Sequence, residues 1–161
     1  MTVSIGDRLP DVTFKVMTDD GLSDMTTGDV FAGKKVVIFA VPGAFTPTCQ
    51  AMHVPNFLGS LDAFAEKGVD TVACIAVNDA FVLQEWAKKT AADGKILFLS
   101  DGNAEFTVAA GLDFDASGNG LGTRSKRYAM LVEDGVVKAL NIEETPKTVD
   151  ASSAEKILEV L

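Results

Sequence analysis

Val36-Val37-Ile38-Phe39-Ala40-Val41-Pro42-Gly43-Ala44-Phe45-Thr46-Pro47-Thr48-Cys49 carries an apolar, β-branched run into a turn that ends on a cysteine. Its first six residues have the composition of a buried strand. Beyond the turn, Pro47 followed by Gln50, Ala51 and Met52 reads as the first turn of a helix, where a missing amide N–H is tolerated. The thiol of Cys49 is therefore expected at a strand-to-helix corner, on a helix N-terminus. Free backbone N–H groups and the helix dipole favour negative charge there, and the thiolate is the nucleophilic form of cysteine. A free cysteine is more often a small buried hydrophobe, and it is the corner position that turns this one toward chemistry.

The residues before Cys49 qualify the nucleophile. Pro42 fixes its own φ and has no N–H, so it stiffens the loop and supplies an apolar wall. Thr46 lies three residues before Cys49, within reach of the sulfur or of an oxygen bonded to it. Its hydroxyl both donates and accepts, which suits a substrate such as HO–OH that does the same. Thr-Pro is also a common helix opening, with the threonine as N-cap, and the two roles are compatible.

Pro42-x-x-x-Thr46-x-x-Cys49 resembles the active-site signature of the peroxiredoxins. With His53 four residues on, the longer run from Pro42 to Cys49 is similar to the peroxiredoxin-5 or plant type II subfamily. Ala76-Val77-Asn78-Asp79 before Phe81, Trp86, and Lys126-Arg127-Tyr128 match as well, so the similarity extends from Gly6 to about Glu143. The resemblance implies an α/β, thioredoxin-like fold, a central β-sheet flanked by helices. It implies a thiol peroxidase acting on hydrogen peroxide and alkyl hydroperoxides. Cys49 would attack the O–O bond, become a sulfenic acid, and be reduced by glutathione with glutaredoxin or by thioredoxin. No cofactor and no metal is called for. Relatives form dimers through loops near the site, which makes a homodimer the expectation, with Phe45 and Phe81 as candidate contacts.

Three further residues carry site expectations. Arg127 matches the arginine that faces the active cysteine in this family. A permanent guanidinium favours the thiolate, and its fork of donors can hold both sulfur and a peroxide oxygen. Arg124 and Lys126 are read as solvated surface charges. His53 falls on nearly the same helix face as Cys49. Without an orienting Asn or Asp it reads as a hydrogen-bonding neighbour of the pocket rather than a proton-transfer base. Cys74, in the strand Thr71–Val77, has two readings. Strand cysteines are usually core residues, whereas its position matches the second cysteine of the plant type II group, which resolves the sulfenic acid as an internal disulfide.

Composition bounds the rest. A chain of 161 residues, 47% of them apolar, fits one domain able to bury roughly two-thirds of its unfolded surface. Fourteen Lys and Arg against 23 Asp and Glu give a net charge of −9, which argues against nucleic acid or an anionic membrane as partner. The start, Met1 to Asp7, lacks the basic and hydrophobic regions of a leader, and two cysteines make no secreted disulfide framework, so a reducing cytoplasm is expected.

The layout alternates. Residues 13–32 read as polar and turn-rich, with turns at Asp19-Asp20-Gly21 and Thr27-Gly28-Asp29. After the Cys49 helix, bent at Pro55, come a strand at 71–77, a helix at 80–90 with Phe81, Leu83, Trp86 and Ala87 inward, and a short strand at 96–99. A helix at 105–110, a hairpin about Glu133-Asp134-Gly135 and a closing helix at 152–161 complete it. Gly118-Asn119-Gly120-Leu121-Gly122 reads as a surface loop rather than a phosphate loop. Two other classes use similar parts. A thiol–disulfide oxidoreductase would carry Cys-x-x-Cys, absent around Cys49, and a non-catalytic holdase or binding module would need neither Thr46 nor Arg127 beside a thiol.

Overall fold

A computed structural model describes residues 2–161, so Met1, where the leader reading begins, lies outside them. Strands β1 (Thr13–Thr18) and β2 (Gly21–Thr26) form an antiparallel hairpin about Asp19-Asp20, and helix α1 (Thr27–Phe31) follows. This differs from the turn-rich segment expected over 13–32. Within the hairpin only Phe14 and Val16 are buried, so neither strand has the apolar density of a core element. Thr27-Gly28-Asp29 is not a turn but the opening of α1. The Thr26 hydroxyl accepts the Asp29 amide at 3.1 Å and the Asp29 carboxylate accepts the Thr26 amide at 2.9 Å, a reciprocal cap.

Strand β3 (Lys35–Val41) lies deep in the sheet and is fully buried from Val36 to Val41. It runs parallel to β4 (Thr71–Ala76), which runs parallel to β5 (Leu97–Ser100), while β8 (Tyr128–Glu133) and β9 (Val136–Ile142) pair antiparallel on its other side. Among the described residues the sheet has seven strands in the order β2-β1-β5-β4-β3-β8-β9. Alternation along β3 divides two cores. Val36, Ile38 and Ala40 pack with Phe14, Phe31 and Phe106, whereas Val37, Phe39 and Val41 pack with Cys49, Phe57, Phe64 and Trp86. A strand covered on both faces must be apolar throughout, which is why it reads as a continuous run.

The chain leaves β3 at Val41, turns through Pro42–Thr46 and enters a helix at Pro47. Cys49–His53 is a π-helical turn in which the Val54 amide donates to the Cys49 carbonyl. Helix α2 (Val54–Leu58) continues it, Gly59-Ser60 interrupts, and α3 (Leu61–Glu66) resumes. The break thus falls at Gly59 rather than at Pro55. The widened turn just before Pro55 makes room for a residue that has no amide to donate and whose ring crowds the carbonyl one turn back. A ladder of rings, Phe39, Phe57 and Phe64, with successive centroids 4.3 and 5.8 Å apart, seats this helix on the sheet.

Helix α4 (Ala80–Lys89) is capped by Asp79 and buries Ala80, Leu83, Trp86 and Ala87. Phe81, expected on that side, is 59% exposed, because it stands one residue, about 100°, off the buried stripe. After β5 come α5 (Glu105–Ala109), then a small antiparallel pair, β6 (Asp113–Asp115) and β7 (Thr123–Ser125), joined across the glycine-rich segment. The expected surface loop is therefore the tip of a hairpin. Asp134 and Gly135, both at positive φ, make the tight turn between β8 and β9. The closing helix, α6 (Ala154–Leu158), is shorter than the expected 152–161 because Ser153 caps it and turns follow Leu158.

Candidate active site

Cys49 is the third residue after Thr46 and its side chain is fully buried under the turn. Arg127 Nη2 donates to its sulfur at 2.8 Å, and the Thr46 hydroxyl stands 2.9 Å from it on another side. That hydroxyl also lies 2.6 Å from the Gly43 carbonyl. One hydroxyl proton serves one acceptor at a time, so when it is donated to Gly43 the oxygen lone pairs face the sulfur and whatever is bound there. Thr46 does not use its hydroxyl to cap a helix amide. Its backbone carbonyl accepts the Gln50 amide at 3.0 Å instead.

Arg127 immediately precedes β8, and all three guanidinium nitrogens are engaged. Nε donates to the Pro146 carbonyl at 3.1 Å, Nη1 to His53 Nδ1 at 2.8 Å and Nη2 to sulfur. The side chain is 2% exposed, and none of the ion pairs among the described residues includes it. Its neutral partners position it without drawing its charge from the sulfur.

His53 owes its role to its surroundings. Burial, and then the adjacent Arg127 charge, push its pKa down from 6.5 to about 3, so the ring is neutral. With Nδ1 accepting from Arg127, the ring proton sits on Nε2 and is donated to the Ser152 carbonyl at 3.0 Å. Glu143 holds that carbonyl's residue in place, its carboxylate accepting the Ser152 amide at 2.7 Å, the Ser152 hydroxyl at 2.6 Å and the Asp150 amide at 2.7 Å. Burial acts to raise the Glu143 pKa, and these donors outweigh it and hold the carboxyl below its ordinary value. The site thus extends from Glu143 through Ser152, His53 and Arg127 to Cys49.

A linkage prediction follows from His53. The unfolded ring binds a proton near pH 6.5 and the folded ring only near pH 3, so the unfolded state holds more protons in between. Its contribution is fully present above pH 6.5 and is lost as the pH falls toward 3, at up to about 1.4 kcal/mol per pH unit. Urea denaturation at stepped pH should show this slope in the wild type and a shallower one in His53→Asn. Equal slopes would remove His53 as its source.

Pro42 is buried, and its carbonyl accepts from Arg124 Nη1 at 3.2 Å. This corrects the reading of Arg124 as a solvated charge, since the side chain is half-buried against the turn. Asn78 also holds the turn, its side-chain oxygen accepting the Ala44 amide at 2.9 Å. Cys74, on β4, pairs across the sheet with Phe39 and packs in the same core as Cys49. Both cysteines are free thiols. Burial pushes the Cys74 thiol well above its ordinary pKa, and nearby Cys49 adds to the push. Phe45 and Phe81 are exposed, as a contact with a second chain would require. Among the described residues no cluster of His, Cys, Asp and Glu could hold a metal, and no helix is long and apolar enough to cross a membrane.

A sulfur held between a guanidinium and a hydroxyl, at the corner of a sheet sandwiched by helices, defines a thiol-based redox enzyme. Comparison with known proteins narrows the class. The Redoxin family model matches residues 4–158. The chain is 47% identical over 165 residues to chloroplastic peroxiredoxin-2E-2 of Oryza sativa subsp. japonica, covering 99% of this chain and 73% of that one. It is 46% identical over 144 residues to mitochondrial peroxiredoxin-2F of Arabidopsis thaliana, covering 87% and 72%. The structure of reduced Prx3 from Vibrio vulnificus in complex with hydrogen peroxide superimposes with a TM-score of 0.92 at 45% identity, covering 99% of this chain and 96% of that one. The chain belongs to the Redoxin family, among the peroxiredoxins of plant type II kind, and is a thiol-dependent peroxidase.

Proposed function

We propose that Cys49 is the peroxide-attacking thiolate, with Arg127, Thr46 and Pro42 forming the site around it. The observation that carries this is the sulfur's pair of partners, Arg127 Nη2 at 2.8 Å and the Thr46 hydroxyl at 2.9 Å. The thiolate attacks the nearer oxygen of R–O–O–H, an S–O bond forms and the O–O bond breaks. The OH stays on sulfur as a sulfenic acid, and the departing RO⁻ takes a proton from solvent to leave as ROH. Negative charge builds on that leaving oxygen, and the Arg127 fork is placed to stabilise it. Thr46, donating to the Gly43 carbonyl, accepts a hydrogen bond from the peroxide O–H and fixes the angle of approach. Pro42 walls the pocket, and His53 keeps Arg127 in place.

Regeneration consumes two thiols. One condenses with the sulfenic acid to a mixed disulfide and water, and the second releases the Cys49 thiol and a disulfide. Glutathione with glutaredoxin is the proposed source, with thioredoxin the other candidate. Cys74 supplies the first thiol only if the Cys49 helix unwinds, because β4 is hydrogen-bonded on both sides and its thiol stays protonated in the fold. The proposed assembly is a homodimer through the loops of Phe45 and Phe81. The proposed location is the cytoplasm, on cysteine usage alone.

The test is peroxide consumption with each reductant, beside disulfide reduction and peptide hydrolysis, and intact mass after one equivalent of peroxide. Consumption with a sulfenic or glutathione adduct on wild type and Cys74→Ser alike supports an external thiol. A loss of two hydrogens that requires Cys74 assigns it the resolving role. Disulfide reduction or hydrolysis in place of peroxide loss overturns the proposal.

A further inference from the structure

We propose that Arg124 is a positioning residue for this centre: from β7 it clamps the Pro42–Thr46 turn and so fixes the Thr46 hydroxyl against the Cys49 sulfur. The inference rests on the roles given above to Cys49 and Thr46.

Three observations meet here. Arg124 Nε donates to the Leu121 carbonyl of its own hairpin at 3.0 Å, which anchors the guanidinium, while Nη1 reaches across to the Pro42 carbonyl at 3.2 Å. The guanidinium also packs on Gly43. A Cβ at that position would lie 2.7 Å from Nη1 and 3.2 Å from the Thr46 methyl, so a side chain there would push the guanidinium off the turn. Finally, Phe45 has φ of +66°, a left-handed conformation that costs a residue with a Cβ roughly 1–3 kcal/mol. Such a conformation persists where neighbours over-determine it. Here the carbonyl of Pro42 is held by Arg124, that of Gly43 by Thr46 and the amide of Ala44 by Asn78.

The clamp has a specific consequence. Arg127 is fixed by His53 and Pro146, not by the turn, so loss of Arg124 leaves the cation on the sulfur. What moves is Gly43, and with it the carbonyl that receives the Thr46 proton. Peroxide orientation suffers while the thiolate does not. This also assigns work to the β6–β7 hairpin, which lies outside the main sheet.

The experiment uses the full chain with Arg124→Ala, Arg124→Lys and, as control, Lys126→Ala. Stopped-flow oxidation by hydrogen peroxide should slow in Arg124→Ala by about ten- to a hundredfold, the scale of a small misplacement of reacting groups. The rate of Cys49 alkylation by iodoacetamide, and its pH profile, should match wild type, since alkylation reads the thiolate and needs no alignment by Thr46. Amide hydrogen exchange should rise at residues 43–46 and stay unchanged in the sheet. Arg124→Lys, with one donor group and no fork to span Leu121 and Pro42, should recover part of the rate, and Lys126→Ala should match wild type. A wild-type oxidation rate in Arg124→Ala overturns the inference, as does an alkylation profile that shifts with it. A wild type that does not react with peroxide sinks the proposed roles instead, and the exchange arm then decides the clamp, with unchanged exchange at 43–46 overturning it.

Discussion

Cys49→Ser gives a folded protein without peroxide turnover, a loss on the order of a thousandfold or more. A serine alcohol stays protonated near neutral pH unless a base takes its proton, and the only imidazole nearby is unsuited to do so. His53 is neutral, but its Nδ1 is occupied by Arg127 and its Nε2 proton is committed to Ser152. The fold tolerates the change because the new hydroxyl inherits Thr46 and Arg127 as partners, so no buried polar group is orphaned. Peroxide consumption beside far-ultraviolet circular dichroism makes the check. Substantial turnover by the folded variant would remove Cys49 from the reaction.

Arg127→Ala should slow sulfenic acid formation by about a hundredfold or more, the usual loss when a donor aimed at developing charge is removed. The variant also leaves the buried His53 Nδ1 and the Pro146 carbonyl without their donor, so some loss of stability accompanies it. Arg127→Lys separates the two effects. It retains a positive charge but has no planar fork to span His53, Pro146 and sulfur, and should fall between wild type and alanine. Stopped-flow oxidation, with alkylation of Cys49 against pH as a reading of the thiolate, measures both. Arg127→Ala with wild-type rates would show that another group stabilises the transition state.

Where the sequence was legible, burial was extreme or a motif was complete. β3 could be read because both its faces are covered, and Cys49, Thr46 and Arg127 through spacing and resemblance. The β1–β2 hairpin was not, since a strand pair with two buried residues has the composition of a loop. The cap on α1 did carry a signal, a threonine three residues before an aspartate, outweighed by the glycine between them. Phe81 shows the limit of counting apolar residues on a helix. Ala80, Leu83, Trp86 and Ala87 form the stripe, and a fifth apolar residue beside it gains nothing from hydrophobicity alone. The support around the site was hidden for a different reason. Arg124, Glu143 and Ser152 act largely through backbone carbonyls and amides, and which carbonyl a side chain meets is set by loop geometry that no periodicity encodes.

Arg127 is a buried cation whose partners, apart from the Cys49 sulfur, are all neutral. In the reaction proposed for Cys49, its thiolate supplies the missing unit of charge. Oxidation replaces it with an electrically neutral sulfenic acid, and the interior is left with a full positive charge and no counterion, a condition that proteins tolerate poorly. The proposed turnover step would therefore do more than change a sulfur's oxidation state: it would discharge the pairing of Arg127 with the first turn of the Cys49 helix. The oxidised site is then expected to be the less settled one, and faster amide exchange over residues 46–53 after one equivalent of peroxide would register it. Charge neutrality would then work as a latch, closed by the thiolate and released by its own reaction.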